Sequence, residues 1–193
     1  MRVVLSLLFV SLLVGCGGSQ FVRPGGSETR LGSTTYDQIV EHFGSPRTSS
    51  NITVNGVQLK AISYGYSEAV PFTTKLAIKS MTMVFKDDVL VSYDYVTSFE
   101  ADNQGISTKL DDDLLAKIKK GDSRNTVAAL LGQPGGEAIP PVAKHTLLWR
   151  YTHLETWRIP FVPRPRIVRK VFKVSFDEGG YVVETGTEEV KPE

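Results

Sequence analysis

The sequence predicts an α+β protein built from two tandem repeats, each with a helix or a helix pair followed by three antiparallel strands. Three observations predict this fold class: a helix motif that recurs 88 residues later, alternating apolar segments after each copy, and short polar turns between those segments. The chain has 193 residues, which is enough for one ordinary domain or two small ones.

The recurring helix motif begins at Thr35 and again at Ser123. A hydroxyl residue suits the first position because its oxygen can accept an N–H of the first helical turn. Each copy ends in Gly-x-Pro, at Gly44 and at Gly132. Glycine tolerates a positive φ and the following proline stops the helix, so the motif predicts one helix between each hydroxyl residue and its glycine.

Alternating apolar residues then predict three strands in each half of the chain. The second half has an additional helix in front, since Asp111-Asp112-Asp113 followed by Lys119-Lys120 complements the helix dipole. Gly135 and Gly136 are interpreted as turn glycines. The predicted strands lie at residues 62–66, 81–85 and 89–95 in the first half and at residues 147–151, 172–176 and 181–185 in the second.

The second half resembles a known family. Its helix, its Leu-Gly-Gln-Pro ending, its Trp-Arg-Tyr strand and its Val-Ser-Phe strand are similar to the SmpA/OmlA (BamE-like) outer-membrane lipoprotein family. The resemblance covers residues 109–187 well and residues 31–99 more weakly. It implies two tandem two-layer α/β repeats, with helices packed on three-stranded antiparallel sheets. Such an arrangement resembles the architecture of the β-lactamase-inhibitor protein.

The N-terminus is predicted to be the leader of a bacterial lipoprotein. Residues 3–14 form an apolar run of 12 residues, too short to cross a membrane as a helix, which needs about 20. The run ends in Leu-Val-Gly-Cys, which resembles the bacterial lipobox and implies cleavage before Cys16 and lipidation of Cys16. Two or more acyl chains are needed for firm anchoring. Gly17, rather than an aspartate, implies the periplasmic face of the outer membrane.

These patterns predict the domain organisation along the whole chain. After the leader, a Gly- and Ser-rich stretch without apolar periodicity is typical of a flexible tether. The predicted segments are a signal peptide at residues 1–15, a tether at 16–29, a first repeat at 30–99, a linker at 100–108, a second repeat at 109–187 and a tail at 188–193.

Composition excludes several function classes. Lys and Arg number 22 against 21 Asp and Glu, so the overall charge does not favour nucleic acid as a partner. Cys16 is the only cysteine, which excludes an intrachain disulfide and a cysteine-rich zinc site. His42, His145 and His153 are interpreted as histidines at the solvent edge. We therefore expect no catalytic residues, no metal and no cofactor other than the covalent lipid.

The most unusual segment lies between Arg150 and Lys173, where seven basic residues accompany one acidic residue. Three prolines predict an extended loop over residues 156–170. Arginines and aromatic residues are enriched at binding hot spots, and arginines also suit anionic headgroups. A rigid solvated loop without a binding role explains the pattern equally well. The candidate partner- or lipid-binding residues are Trp157, Arg158, Phe161, Arg164, Arg166 and Arg169.

The resemblance and the leader together imply a function. We expect a non-enzymatic, lipid-anchored module at the periplasmic face of the outer membrane. It would bind envelope proteins, including the outer-membrane assembly machinery, and serve assembly or envelope integrity. One alternative is an inhibitor or regulator of a periplasmic enzyme, which concave aromatic clusters on the sheets would favour. Another is a binder of anionic lipid or glycan through residues 157–173.

Overall fold

The computed structural model describes residues 20–70, 76–99, 110–157 and 166–190. The predicted leader and Cys16 lie outside these residues. No helix in the described ranges is long and apolar enough to cross a membrane. The helices are α1 (Tyr36–Phe43), α2 (Asp112–Leu115) and α3 (Arg124–Leu131). The strands are β1 (Thr48–Val54), β2 (Val57–Ala69), β3 (Leu76–Lys86), β4 (Val89–Thr97), β5 (Gly136–Ala138), β6 (Leu147–Trp157), β7 (Arg166–Phe176) and β8 (Val182–Val190).

All of these strands belong to one eight-stranded antiparallel sheet in which each strand pairs with the next in sequence. The predicted fold class, two tandem two-layer repeats with separate three-stranded sheets, is therefore wrong. Strand β5 makes the difference, because Glu137 lies opposite Tyr93 of β4 on one side and opposite Trp149 of β6 on the other. The ladder of backbone hydrogen bonds thus continues from the first half of the chain into the second.

Strands β1 and β5 lack the apolar alternation that predicts a strand. Most of β1 is exposed and polar, as suits the edge of a sheet. Strand β5 has three residues and begins at Gly136, whose interpretation as a turn glycine is wrong. A Cβ atom on Gly136 would lie 2.5 Å from Asp94 Oδ1 and 2.8 Å from the carbonyl oxygen of Tyr93. Only glycine allows β5 to approach β4 this closely.

The helices of the recurring motif are confirmed with their caps. At α1, Thr35 Oγ1 accepts the backbone N–H of Gln38 at 3.3 Å, and Gln38 Oε1 accepts that of Thr35 at 2.9 Å, which is a capping box. At α3, Ser123 Oγ accepts the backbone N–H of Thr126 at 3.2 Å. The glycines that end these helices, Gly44 and Gly132, have φ values of 77° and 76°.

The two motifs also dock on the sheet in the same way. The hydroxyl of Tyr64 on β2 donates to the carbonyl oxygen of Gly44 at 2.9 Å. The hydroxyl of Tyr151 on β6 donates to the carbonyl oxygen of Gly132 at 3.1 Å. Each helix end is therefore held by a tyrosine from a strand of its own half, and the carbonyl group left unpaired at the end of each helix gains a partner.

All three helices pack on the same face of the sheet. Buried side chains of both halves form two apolar clusters there, in which ring contacts such as Trp149 against Phe176, with centroids 4.8 Å apart, add to the burial of apolar area. The cluster of the first half contains Phe21, Ile39, Ile62, Tyr64, Met81, Met83, Phe85, Leu90 and Tyr95. The cluster of the second half contains Leu110, Leu115, Ile118, Val127, Leu131, Trp149, Tyr151, Phe172, Val174, Phe176 and Val182.

Two residues of the segment predicted as the tether, Phe21 and Arg23, contact the folded part of the chain. Phe21 is 7% exposed, and its ring lies 6.0 Å from that of Tyr64 and 6.2 Å from that of Tyr95. Arg23 Nη2 also donates to the carbonyl oxygen of Pro134 at 3.0 Å. One aromatic residue cannot form a periodic pattern, so its burial is not predicted from the sequence. Burying its ring nevertheless holds the segment against the sheet.

The ladder between β6 and β7 extends into the segment predicted as a loop. Trp157 pairs with Arg166, so Thr156 and residues 166–170 belong to strands rather than to an extended loop. The predicted loop over residues 156–170 is wrong in these parts. The strands can extend this far because the three prolines lie at residues 160–165, which are outside the described ranges.

Candidate functional site

A groove of about 370 Å³ lies on the face of the sheet opposite the helices. Strands β3, β4, β6 and β7 form its floor and walls, and the loop after β5 contributes one side chain. Side chains alternate between the two faces of a strand, so every second residue of these strands reaches the groove. The lining residues are Ile78, Ser80, Thr82, Val84, Ser92, Asp94, Val96, Val142, Arg150, Leu154, Ile167 and Arg169.

The shortness of β5 explains why the groove exists. Beyond Gly136 no strand lies between β4 and β6 in the described chain, and the two long hairpins approach each other directly. The Thr156 hydroxyl on β6 donates to the carbonyl oxygen of Leu76 on β3, past the end of β4. This contact joins the two halves next to the groove residues Ile78 and Leu154.

Three charged side chains meet in the groove. Asp94 Oδ2 lies 3.0 Å from Arg169 Nη2, and Asp94 Oδ1 lies 3.7 Å from Arg150 Nε. The side chains of Asp94 and Arg150 are 14% and 16% exposed, whereas that of Arg169 is 42% exposed. Two arginines face one carboxylate, so the cluster carries one excess positive charge. Asp94 and Arg150 are largely shielded from water, whereas Arg169 is closer to solvent.

The position of Arg150 is determined by the strands beneath it. Its Nη2 donates to Ser92 Oγ and to the carbonyl oxygen of Tyr93, both at 2.7 Å. Arg150 lies opposite Gly136 in the β5–β6 ladder, and that glycine leaves space for Asp94. The guanidinium of this β6 residue is therefore fixed by β4, which only the tertiary structure brings close to β6.

Several polar atoms on this face have no hydrogen-bond partner among the described residues. They are Asp94 Oδ1, Arg150 Nε, Arg169 Nε and Thr152 Oγ1. Thr152 is 8% exposed and lies between Arg150 and Leu154 on the same face of β6. Buried polar atoms are normally satisfied, and leaving one unsatisfied costs about 1–3 kcal/mol. The concentration of such atoms at one place distinguishes this site from the rest of the sheet.

The structure separates the candidate binding residues of the basic segment. Arg169 lies in the groove. Arg166 is exposed and, by alternation along β7, belongs to the opposite face. The backbone of Trp157 pairs with Arg166. Arg158, Phe161 and Arg164, like Cys16, lie outside the described residues.

Asp94 and Arg150 are not among the site residues predicted from the sequence. Asp94 interrupts the apolar strand from Leu90 to Val96, and a lone carboxylate at the centre of such a strand is the feature that could have drawn attention to it. Its partner Arg169 is 75 positions away in the sequence, and Arg150 reaches Ser92 across 58 positions. No local pattern connects residues at such separations.

The three histidines lie near single carboxylates at the surface. Nε2 of His42 lies 3.1 Å from Glu28, that of His145 lies 3.3 Å from Glu184, and that of His153 lies 3.1 Å from Glu155. Their side chains are 28–46% exposed, which confirms their interpretation as histidines at the solvent edge. Among the described residues, no group of three or more His, Cys, Asp or Glu is placed to hold a metal ion.

The distribution of aromatic residues bears on the inhibitor alternative. The aromatic clusters of both halves lie on the helix side of the sheet, where they form the core. No groove-lining residue in the described ranges is aromatic. The concave aromatic surface that would favour an inhibitor is therefore not found in the groove.

The second half of the chain matches a known family. Residues 107–186 match the family model described as the outer membrane protein assembly factor BamE domain. Over these residues, which are less than half of the chain, the sequence is similar to that domain. This confirms the family resemblance for the second half. The matched residues include α2, α3, β5, β6, β7 and the first part of β8. Arg150 and Arg169 therefore lie inside the match, and Asp94 lies outside it.

One solved structure is also similar to the chain. It is a protein from Streptococcus mutans described as a candidate β-lactamase inhibitor protein. The similarity covers 80% of this chain and 82% of that chain, at 14% identity and a TM-score of 0.38. A likeness this distant carries no argument about fold or function. No curated protein matches the sequence.

Proposed function

We propose that the chain is a protein-binding module at the outer membrane that serves outer-membrane protein assembly or envelope integrity. The observation that carries the proposal is the match of residues 107–186 to the BamE domain, whose description names an outer-membrane assembly factor. The proposed partners are envelope proteins, including the assembly machinery.

We infer that the protein acts by binding a partner rather than by catalysing a reaction. The charged groups of the groove are a carboxylate paired with an arginine and a second arginine. Arginine stays protonated at all physiological pH values and cannot act as a general acid or base. Such a cluster can contribute to the binding of a partner through charge and hydrogen bonds.

Membrane attachment is proposed through the leader. Residues 1–15 would direct export, and Cys16 would carry the lipid that holds the chain at the periplasmic face of the outer membrane. The support is the lipobox-like sequence, together with the outer-membrane context that the description of the BamE domain provides. Stable attachment then needs more than one acyl chain on the same residue.

A cysteine substitution tests the attachment. We expect the unaltered chain in the outer-membrane fraction, with an acyl mass added to its N-terminal peptide, because the acyl chains insert into the bilayer. The variant Cys16→Ser should lack this added mass and leave the outer-membrane fraction, whereas Ser19→Ala, a matched change three residues further on, should behave as the unaltered chain. A Cys16→Ser variant that stays in the outer membrane would contradict the proposed anchor.

Affinity purification from detergent-solubilised outer membranes tests the binding role. The full chain is compared with an unrelated outer-membrane lipoprotein that carries the same tag. We expect components of outer-membrane protein assembly to be enriched with the chain and not with the control. Equal recovery of all envelope proteins by both baits would refute the proposed function.

A further inference from the structure

We propose that the groove on the helix-free face is a binding site for a carboxylate that carries an apolar group, with Arg169 as the main contact. The inference deepens the proposed function and rests on it, since it names the chemistry by which the groove would recognise a partner. Two sources share this chemistry: the C-terminus of a peptide with an apolar last residue, and a small organic acid.

The excess positive charge of the cluster determines the sign of the charge that a ligand should carry. Asp94 neutralises one of the two arginines and is the only acidic residue that lines the groove in the described chain. Outside the lining, Glu188 also interacts electrostatically with Arg169. Lys173, further along the same face of β7, is itself paired with Glu188 at 2.6 Å. Arg150 is largely shielded from water, and a shielded charge attracts an opposite charge more strongly than it would in water. The groove therefore favours an anion with a single charge.

The arginine geometry favours a carboxylate. Arg150 is fixed through its Nη2 to Ser92 and Tyr93, while its Nε has no partner. Arg169 donates one bond to Asp94 and is the more exposed of the two, so the rest of its guanidinium can meet a ligand. Planar guanidinium groups bind planar carboxylates through paired N–H donors.

The walls of the groove favour an apolar group on the ligand. Half of the lining side chains are aliphatic, and these are Ile78, Val84, Val96, Val142, Leu154 and Ile167. A volume of about 370 Å³ lies at the small end of the range for ligand sites, about 300–1,000 Å³. It suits a carboxylate with one apolar side chain. A phosphate group with two charges fits less well, because the cluster offers only one excess positive charge.

Calorimetric titration of the purified full chain in detergent tests the inference. The probes are the tripeptide acetyl-Ala-Ala-Leu with a free C-terminus, the same peptide as the amide, and the small acid 4-methylpentanoate. We expect the free peptide to bind at least tenfold more tightly than the amide. If 4-methylpentanoate equals the free peptide, the carboxylate site is supported and its ligand is a small acid. If the free peptide binds more tightly than this acid, the source is a peptide C-terminus.

Matched variants locate the site. Arg169→Gln should weaken binding of the free peptide at least tenfold. Arg166→Gln removes the same charge three residues away on the opposite face of β7, and should leave binding unchanged. Should Arg169→Gln fail to fold, Thr82→Trp provides a second test, since Thr82 is exposed and lines the groove. We expect it to block binding by filling the groove.

Three results would overturn the inference: equal binding of the free and amidated peptides, equal losses for Arg169→Gln and Arg166→Gln, or undiminished binding in Thr82→Trp. The outcome is separable from that of the proposed function. Loss of the carboxylate site with assembly components still enriched refutes only the groove chemistry. Carboxylate binding without any enriched envelope protein refutes only the assembly role.

Discussion

Replacing Gly136 with alanine should destabilise the protein through the junction of its two halves. The new Cβ would lie 2.5 Å from Asp94 Oδ1, 2.8 Å from the carbonyl oxygen of Tyr93 and 3.0 Å from Asp94 Cα. Two of these atoms belong to the backbone of β4, which cannot rotate away as a side chain can. Strand β5 is also hydrogen-bonded on both sides, so relief requires part of the ladder to separate.

We expect Gly136→Ala to lower the free energy of unfolding by about 2–3 kcal/mol, the upper part of the range for overpacking in a close-packed site. The displaced carboxylate would also lose its 3.0 Å contact with Arg169. Urea denaturation followed by circular dichroism gives the value from the shift in midpoint at constant slope. Gly186→Ala is the matched control, because a Cβ on this strand glycine meets nothing within 4 Å. A difference of less than about 0.5 kcal/mol between the two alanine variants would show that the close approach of β5 to β4 does not require glycine.

Three further predictions concern the charge cluster, the N-terminal segment and pH. Asp94→Asn should lower the free energy of unfolding by about 2 kcal/mol, because Arg150 then lacks its carboxylate, and a shift in urea midpoint no larger than that of Arg166→Gln would contradict this. Phe21→Ala should cost about 3 kcal/mol in the same assay if the buried ring holds the segment to the sheet, whereas Val22→Ala at an exposed neighbour should cost little. Burial raises the pKa of the Glu137 carboxyl, against the opposing effects of the Tyr93 hydrogen bond and the Arg124 charge. The folded state therefore binds this proton more tightly than the unfolded state, and stability is lost as pH rises through the ordinary pKa towards the raised one. Glu137→Gln should remove that loss, so its advantage over the unaltered chain in unfolding free energy should grow between pH 4 and pH 7; an advantage that is constant across this range would show that Glu137 is not responsible.

The local elements could be predicted because their causes are local. Thr35 and Gln38 are three residues apart and cap α1 through each other, and Gly44 ends the helix with a positive φ. The alternating segments on either side of Lys86 fall within β3 and β4 for the same reason, since one buried face requires a period of two residues.

The union of the two halves could not be predicted in this way. Strand β5 has three residues, which is too short to show a period, and its first residue is a glycine that resembles a turn signal. Its role depends on the carbonyl oxygen of Tyr93 and the carboxylate of Asp94, more than 40 residues earlier in the chain. Without β5, the alternation within each half predicts two separate sheets, which is the fold class that the structure contradicts.

The candidate site likewise combines features that are local in the sequence with contacts that only the tertiary structure forms. The basic character of the segment around Arg169 is visible in the sequence, because it depends only on composition. Which arginine lies in the groove depends on the register of β7. Arg166 and Arg169 fall on opposite faces because they are three positions apart, and side chains alternate between the faces at every position. The export leader and Cys16 stay predictions of the sequence.

The sequence by itself determined where helices begin and end, which segments alternate as strands, and the resemblance to the BamE-like family that the match over residues 107–186 confirms. These properties arise from interactions between residues that are close in the chain. Only the tertiary structure decided that the strands form one sheet, and that Asp94, Arg150 and Arg169 meet in a groove on its helix-free face. That groove depends on contacts across 58 to 75 positions of sequence, where pairing, register and burial act together.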